Sequence, residues 1–209
     1  MKLKLLFLLI LIIIAAGCTP HTVNTFILNP EIPEGTIKNR KEEVSQQKPC
    51  LSINEITGTR ILQGTQIVFS TTPYKRGTYR YSEWDTPLLF KIQQIIFHVM
   101  LDTNLFSQVK LTTPVGIRAW QLKVDLEDFY HEAITPPGYG QIRLTAYLVA
   151  PGNEGGTKRK SFTAKAPVAS YDAEGAVKAM NKVLAQVLIE LRNWVTENVK
   201  TSKDNRCQK

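Results

Sequence analysis

The chain has 209 residues, a formal charge of +8 and a 43% hydrophobic composition, which suits one domain with a core and a tether. Its basic residues are dispersed, and no base-stacking aromatic motif or Arg-rich groove directs them at nucleic acid. The excess fits a solvated surface with a basic bias, with anionic headgroups or an acidic partner face as the alternative.

Lys2 and Lys4 open the chain, Leu5 to Ile14 is an unbroken apolar run, and Ala15-Ala16-Gly17 precedes Cys18. The run has signal-peptide length and is short for a bilayer span. Its order resembles a bacterial lipoprotein signal, cut before a cysteine whose thiol carries diacylglycerol. Ala15 stands where leucine is commoner, and an ordinary secretory signal with an incidental cysteine is the alternative. Residues 1–17 are read as the signal and Cys18 as the lipid attachment, with no cofactor beyond that covalent lipid. Removing Lys2 and Lys4 with the signal lowers the charge from +8 to +6. Each buried acyl methylene adds about 0.8 kcal/mol of membrane affinity, so several chains hold where one does not.

Cys50 and Cys207 are then left as a pair that an oxidising compartment lets close. A bridge across so long a loop adds at most about 5 kcal/mol in the chain-entropy account. Two unpaired thiols in flexible segments are the alternative.

Residues 18–49 read as a tether, polar and punctuated by Pro20, Pro30, Pro33, Gly35 and Pro49. As flexible coil, about thirty residues reach roughly 30 Å. Phe26-Ile27-Leu28 interrupts it, so a docked segment is expected near 24–29. The folded region, 50–199, opens with Leu51-Ser52-Ile53-Asn54, which alternates as a half-buried strand does. Gln66-Ile67-Val68-Phe69-Ser70 is a second strand closed by Pro73, and Thr78-Tyr79-Arg80-Tyr81 a third. Thr86 is positioned to cap a helix with Pro87 in its first turn. Leu88, Ile92, Ile95, Ile96 and Val99 form its apolar stripe, which leaves Lys91, Gln93 and Gln94 off it. Leu105-Phe106 and Val109 begin another extended piece.

Leu122, Val124 and Leu126 alternate with polar residues, as do Ile142, Leu144, Ala146 and Leu148, and then Phe162, Ala164 and Ala166. These read as antiparallel strands with one buried face. A helix follows from about Ala173 to Val199 with Asp172 as cap. Its stripe of Val177, Met180, Leu184, Val187, Leu191 and Trp194 either packs wholly on the sheet or leaves a protruding end for a partner or a second copy. Residues 200–209 are a polar tail. The pattern predicts an α+β domain, one mostly antiparallel sheet packed under two helices and preceded by a lipidated flexible tether.

Chemistry-bearing motifs are scarce. His21, His98 and His131 share no metal-ligand spacing, so no metal site is expected. His98 reads as a helix-edge residue and His131 as part of a hairpin loop. Asp125 and Glu127 point to the solvated strand face rather than forming an acid–base pair. Gly152 to Lys158 lacks the second glycine of a phosphate loop, and there is no serine elbow. No residue is therefore assigned a catalytic role, and no enzyme is expected. Tyr74, Tyr79 and Tyr81 crowd one region and, with Trp194, are the candidate partner-binding residues, since aromatics are enriched at interfaces.

From Ile56 onward the sequence resembles the ABC-type transport auxiliary lipoproteins, the PqiC-like lipoproteins of paraquat-inducible and Mce lipid-transport systems. The residues that carry the resemblance are Gln66-Ile67-Val68-Phe69, Tyr79-Arg80-Tyr81, Trp84, Pro87-Leu88 and Leu105-Phe106-Ser107-Gln108-Val109, with Phe26-Ile27-Leu28 as the early "YxL" segment. Trp84, Pro87 and Phe106 are its packing motif. Ser70, where a strand arginine is usual, and the cysteine pair are departures. The resemblance implies a non-catalytic periplasm-facing lipoprotein of a Gram-negative envelope. It would be the auxiliary or adaptor subunit of an ABC transporter with an Mce-domain partner, and phospholipid is a further candidate ligand. Thr19 after the cysteine, in place of an Asp retention signal, favours the outer-membrane leaflet by the same analogy. A structural or assembly outer-membrane lipoprotein unconnected with lipid transport is the alternative.

Overall fold

The computed structural model describes residues 22–33, 48–112, 119–153 and 156–200. The signal segment, Cys18, most of the tether, Cys207 and the tail lie outside them. Among the described residues nine strands and two α-helices follow in order. They are β1 (Asn24–Phe26), β2 (Cys50–Ile53), β3 (Thr57–Gly58), β4 (Gln66–Thr72), β5 (Lys75–Trp84), α1 (Leu88–Leu101), β6 (Gln108–Lys110), β7 (Trp120–Glu132), β8 (Tyr139–Val149), β9 (Thr157–Pro167) and α2 (Ala173–Lys200).

All nine strands form one sheet, an α+β fold as the periodicity predicts. The long ladders of β7 with β8 and of β8 with β9 are antiparallel, as is the β4–β5 hairpin. The short pairings are parallel: β1 on β5, β2 on β6, and β2, β3 and β4 along one edge of β7. The sheet is therefore mixed, because β7 is long enough to take several short neighbours on one edge while β8 fills the other. At the β4–β5 tip, Pro73 and Tyr74 make the turn.

Leu122, Val124, Leu126, Ile142, Leu144, Ala146, Leu148 and Phe162 face the core as their alternation requires. A bulge between Leu126 and Asp128 adds a residue to β7. Beyond it the inward set changes parity, so Phe129 and His131 are buried. His131 thus lies on a strand and inside the molecule, not in a hairpin loop, because β7 continues three residues past Phe129.

Both helices cover this face. A Cβ on Gly58 of β3 would touch the Leu89 side chain of α1, and one on Gly140 of β8 would press into Ala179 of α2. Helix α1 buries Leu88, Ile92, Ile96 and Val99. Two details depart from the sequence reading. The N-cap is Pro87, not Thr86, and the first helical amide, Leu88 N–H, donates to the Gly64 carbonyl at 3.0 Å. Gln93 is buried, because its amide donates to the Asn54 carbonyl at 2.9 Å. Helix α2 starts at Asp172, whose carboxylate accepts the Gly175 N–H at 2.7 Å. Its 28 residues make it about 42 Å long. Leu191, Val195 and Val199 are buried, so the far end packs rather than protrudes.

Residues 22–33 are drawn into the body. β1 extends the sheet beside β5, Asp85 N–H donates to the Phe26 carbonyl at 2.8 Å, and Leu28 is 1% exposed. The Asn29 amide donates to Asn181 Oδ1 of α2 at 2.7 Å. No described helix is long and apolar enough to cross a membrane.

Candidate functional site

The tyrosine-rich region converges on one end of the sheet. Three connections meet there: the β4–β5 tip, the β7–β8 loop and the β9–α2 loop. Beneath them, Tyr79 from β5 lies parallel to the His131 ring, 6.3 Å between centroids and 2° between planes. Tyr171 meets the His131 ring edge-on at 6.0 Å, and Phe69 tilts against Tyr79 at 5.2 Å. His131 Nε2 is 2.6 Å from the Pro137 carbonyl. A carbonyl only accepts, so Nε2 carries a proton, while Nδ1 and the Tyr79 hydroxyl share a hydrogen bond at 2.7 Å. The Tyr79 hydroxyl is also 3.3 Å from the Asp172 carbonyl.

Burial raises the Tyr79 phenol to about 12, with Tyr171 and Asp172 adding to the rise. It therefore stays protonated at neutral pH. The Gly175 amide, aided by the Ser170 hydroxyl, holds the Asp172 carboxyl below the usual carboxylate range. His131 is enclosed, with both ring nitrogens committed. The cluster is a clasp that ties β5 and β7 to the β7–β8 and β9–α2 loops. His98 is exposed on α1. No group of three or more His, Cys, Asp or Glu among the described residues could hold a metal.

Beside the clasp a groove of about 720 Å³ opens between β1, β5 and the start of α2, with Phe26, Tyr81 and Glu174 on its walls. Under the hairpin tip a second, of about 370 Å³, is lined by Ile61, Leu62, Tyr74 and Phe129. There the Arg76 guanidinium sits 3.9 Å above the Tyr130 ring, donates to Ser70 Oγ at 3.0 Å and lies 3.7 Å from Asp128.

The candidate partner-binding aromatics separate. Tyr74 is 98% exposed at the hairpin tip, and Tyr81 is partly exposed beneath Arg80. Tyr79 is engaged in the clasp. Trp194 is buried, edge-on to Phe162 at 5.9 Å. Trp84 is also buried and stacks on Phe129 at 6.2 Å, Phe106 is buried, and Pro87 starts α1.

The sequence profile of the family described as ABC-type transport auxiliary lipoprotein component matches residues 32–191. The chain belongs to this family. The crystal structure of a Xanthomonas campestris protein of the DUF330 family is similar at 18% identity, covering 85% of this chain and 99% of that one with a TM-score of 0.70. A second solved structure, of an uncharacterized protein, is 15% identical over 83% of this chain and 99% of that one, with a TM-score of 0.64. Both likenesses concern the fold alone. No curated protein matches.

In this auxiliary lipoprotein Cys50 is disulfide-bonded. The other two cysteines, Cys18 and Cys207, lie outside the described residues. The sequence reading found the tyrosines but missed His131, and the adjacent Phe129-Tyr130 aromatics were the available signal that β7 runs on.

Proposed function

We propose that this auxiliary lipoprotein is a non-catalytic adaptor of an ABC transporter–Mce system that moves lipid between the two membranes. The family match across residues 32–191 carries the reading. In this account Cys18 bears the lipid and fixes the domain to the periplasmic face of the outer membrane, and Cys50 pairs with Cys207. Tyr74 and Tyr81 are the exposed members of the aromatic group, and Tyr81, on the wall of the groove, contributes to partner docking. The clasp holds the loops around them in one geometry, which lowers the ordering cost of an encounter. Its polar groups satisfy each other, which suits a docking body better than an enzyme.

A tagged, acylated chain expressed in its own envelope tests this. After detergent solubilisation it should retain an Mce-domain protein together with permease and ATPase subunits. Recovery of none of these contradicts the proposal, and recovery of secretion or polysaccharide-assembly proteins favours the structural alternative.

A further inference from the structure

We propose that the end of the sheet where β7 finishes rests on the lipid surface itself, with Tyr74, Ile134, Tyr139 and Tyr171 entering the headgroup region. The inference builds on lipid attachment at Cys18.

Three observations point to it. First, every connection at this end exposes a large apolar residue: Tyr74 98% at the β4–β5 tip, Ile134 44% and Tyr139 47% around the β7–β8 loop, and Tyr171 56% before α2. Tyrosine suits the boundary between headgroups and acyl chains, because its ring is apolar and its hydroxyl wet.

Second, the anchor reaches this end and not the other. β1 is parallel to β5, with Asn24 beside Ser82. β1 is therefore entered from the side of Lys75 and the hairpin tip. Five residues lie between Cys18 and Asn24, and the six steps span at most about 20 Å. The β9–α2 loop, where Asp172 meets Tyr79, is about 10 Å from Ser82 at strand rise and the tip about 23 Å, so the extended leash reaches the loop and ends a few ångströms short of the tip. Asn24 and Ala173 line the same groove, so the far end of α2 is about 42 Å away and out of reach. Docking of β1 thus shortens the distance between Cys18 and the body from about thirty residues to six, and β1 is entered from the side of the exposed aromatics.

Third, the charges agree. The acids at this end are already engaged: Glu132 with Lys165 at 3.3 Å, Asp128 with Arg76 and Arg143, Glu174 with Lys178 at 2.7 Å, and Asp172 as helix cap. Lys75, at the tip, has no acidic partner among the described residues, which leaves its ammonium for a lipid phosphate.

The test uses the full acylated chain in vesicles of phosphatidylethanolamine and phosphatidylglycerol. Tyr74→Cys, Tyr139→Cys and Tyr171→Cys each carry a small fluorophore, and Leu101→Cys, at the opposite end of the molecule, is the control. Brominated phospholipid should quench the three loop labels several-fold more than the Leu101→Cys label. Protein that floats with the vesicles but shows equal or no quenching overturns the orientation alone and leaves these loops for a protein partner. Protein that fails to float overturns the anchor and the orientation together.

Discussion

At the residue scale the account turns on Tyr79 and His131. Replacing Tyr79 by Phe keeps the ring stack but leaves Nδ1 of a fully buried imidazole without its hydrogen-bond partner. We expect Tyr79→Phe to lower stability by about 1–3 kcal/mol, read as a shift in urea midpoint at unchanged slope. A midpoint equal to that of the parent would remove the clasp. The phenol also gives a signature in alkali. Its folded-state value is raised to about 12 from 10.0, so folding favours the neutral form. The contribution is complete below pH 10 and is lost as pH climbs towards 12. Stability should fall over that window in the parent, and less steeply in Tyr79→Phe. Nearby, Arg76 on the paired strand brings its guanidinium to Ser70 Oγ at 3.0 Å.

At the element scale, the strands that alternate cleanly were legible: β7 to Leu126, β8 and β9 bury the residues that a period of two selects. The bulge at Leu126/Asp128 is what hid His131. An inserted residue reverses which side chains face inward, and no local propensity announces it. The same holds for Gln93, whose burial depends on a carbonyl 39 positions away in sequence. Helix α2 and its Asp172 cap were readable because stripe and cap are local. Its seat on the sheet was not. A Cβ at position 140 would lie 2.8 Å from the Ala179 carbonyl carbon and 2.9 Å from Met180 N, both backbone atoms. Gly140→Ala should therefore push α2 off β8 and cost about 1–3 kcal/mol, as overpacking does. Thermal unfolding measures this, and an unchanged midpoint would mean that the helix slides freely. Leu28→Ala removes the buried hook of the β1 segment, with an expected loss of about 2–5 kcal/mol. Faster proteolysis before Cys50 should accompany it if β1 is released from β5.

Across the whole molecule, two covalent features at the ends of the chain bracket a body held by packing. Cys50 starts the folded region and is bridged. With Cys207 as its proposed partner, the bond closes nearly the entire domain and limits the unfolded state by about 5 kcal/mol at most. Dithiothreitol should lower the denaturation midpoint, and a Cys207→Ser chain should show the lowered midpoint without it. A Cys207→Ser chain that keeps the parent midpoint and its response to reductant would rule out this pairing. The other feature is the proposed lipid on Cys18, which would hold this body at a membrane. The most direct measurement is the intact mass of the mature chain purified from its own envelope, with fragmentation of its first peptide. The account predicts a chain that begins at Cys18 and carries diacylglycerol. A first residue other than Cys18, or a Cys18 without fatty acid, would contradict it.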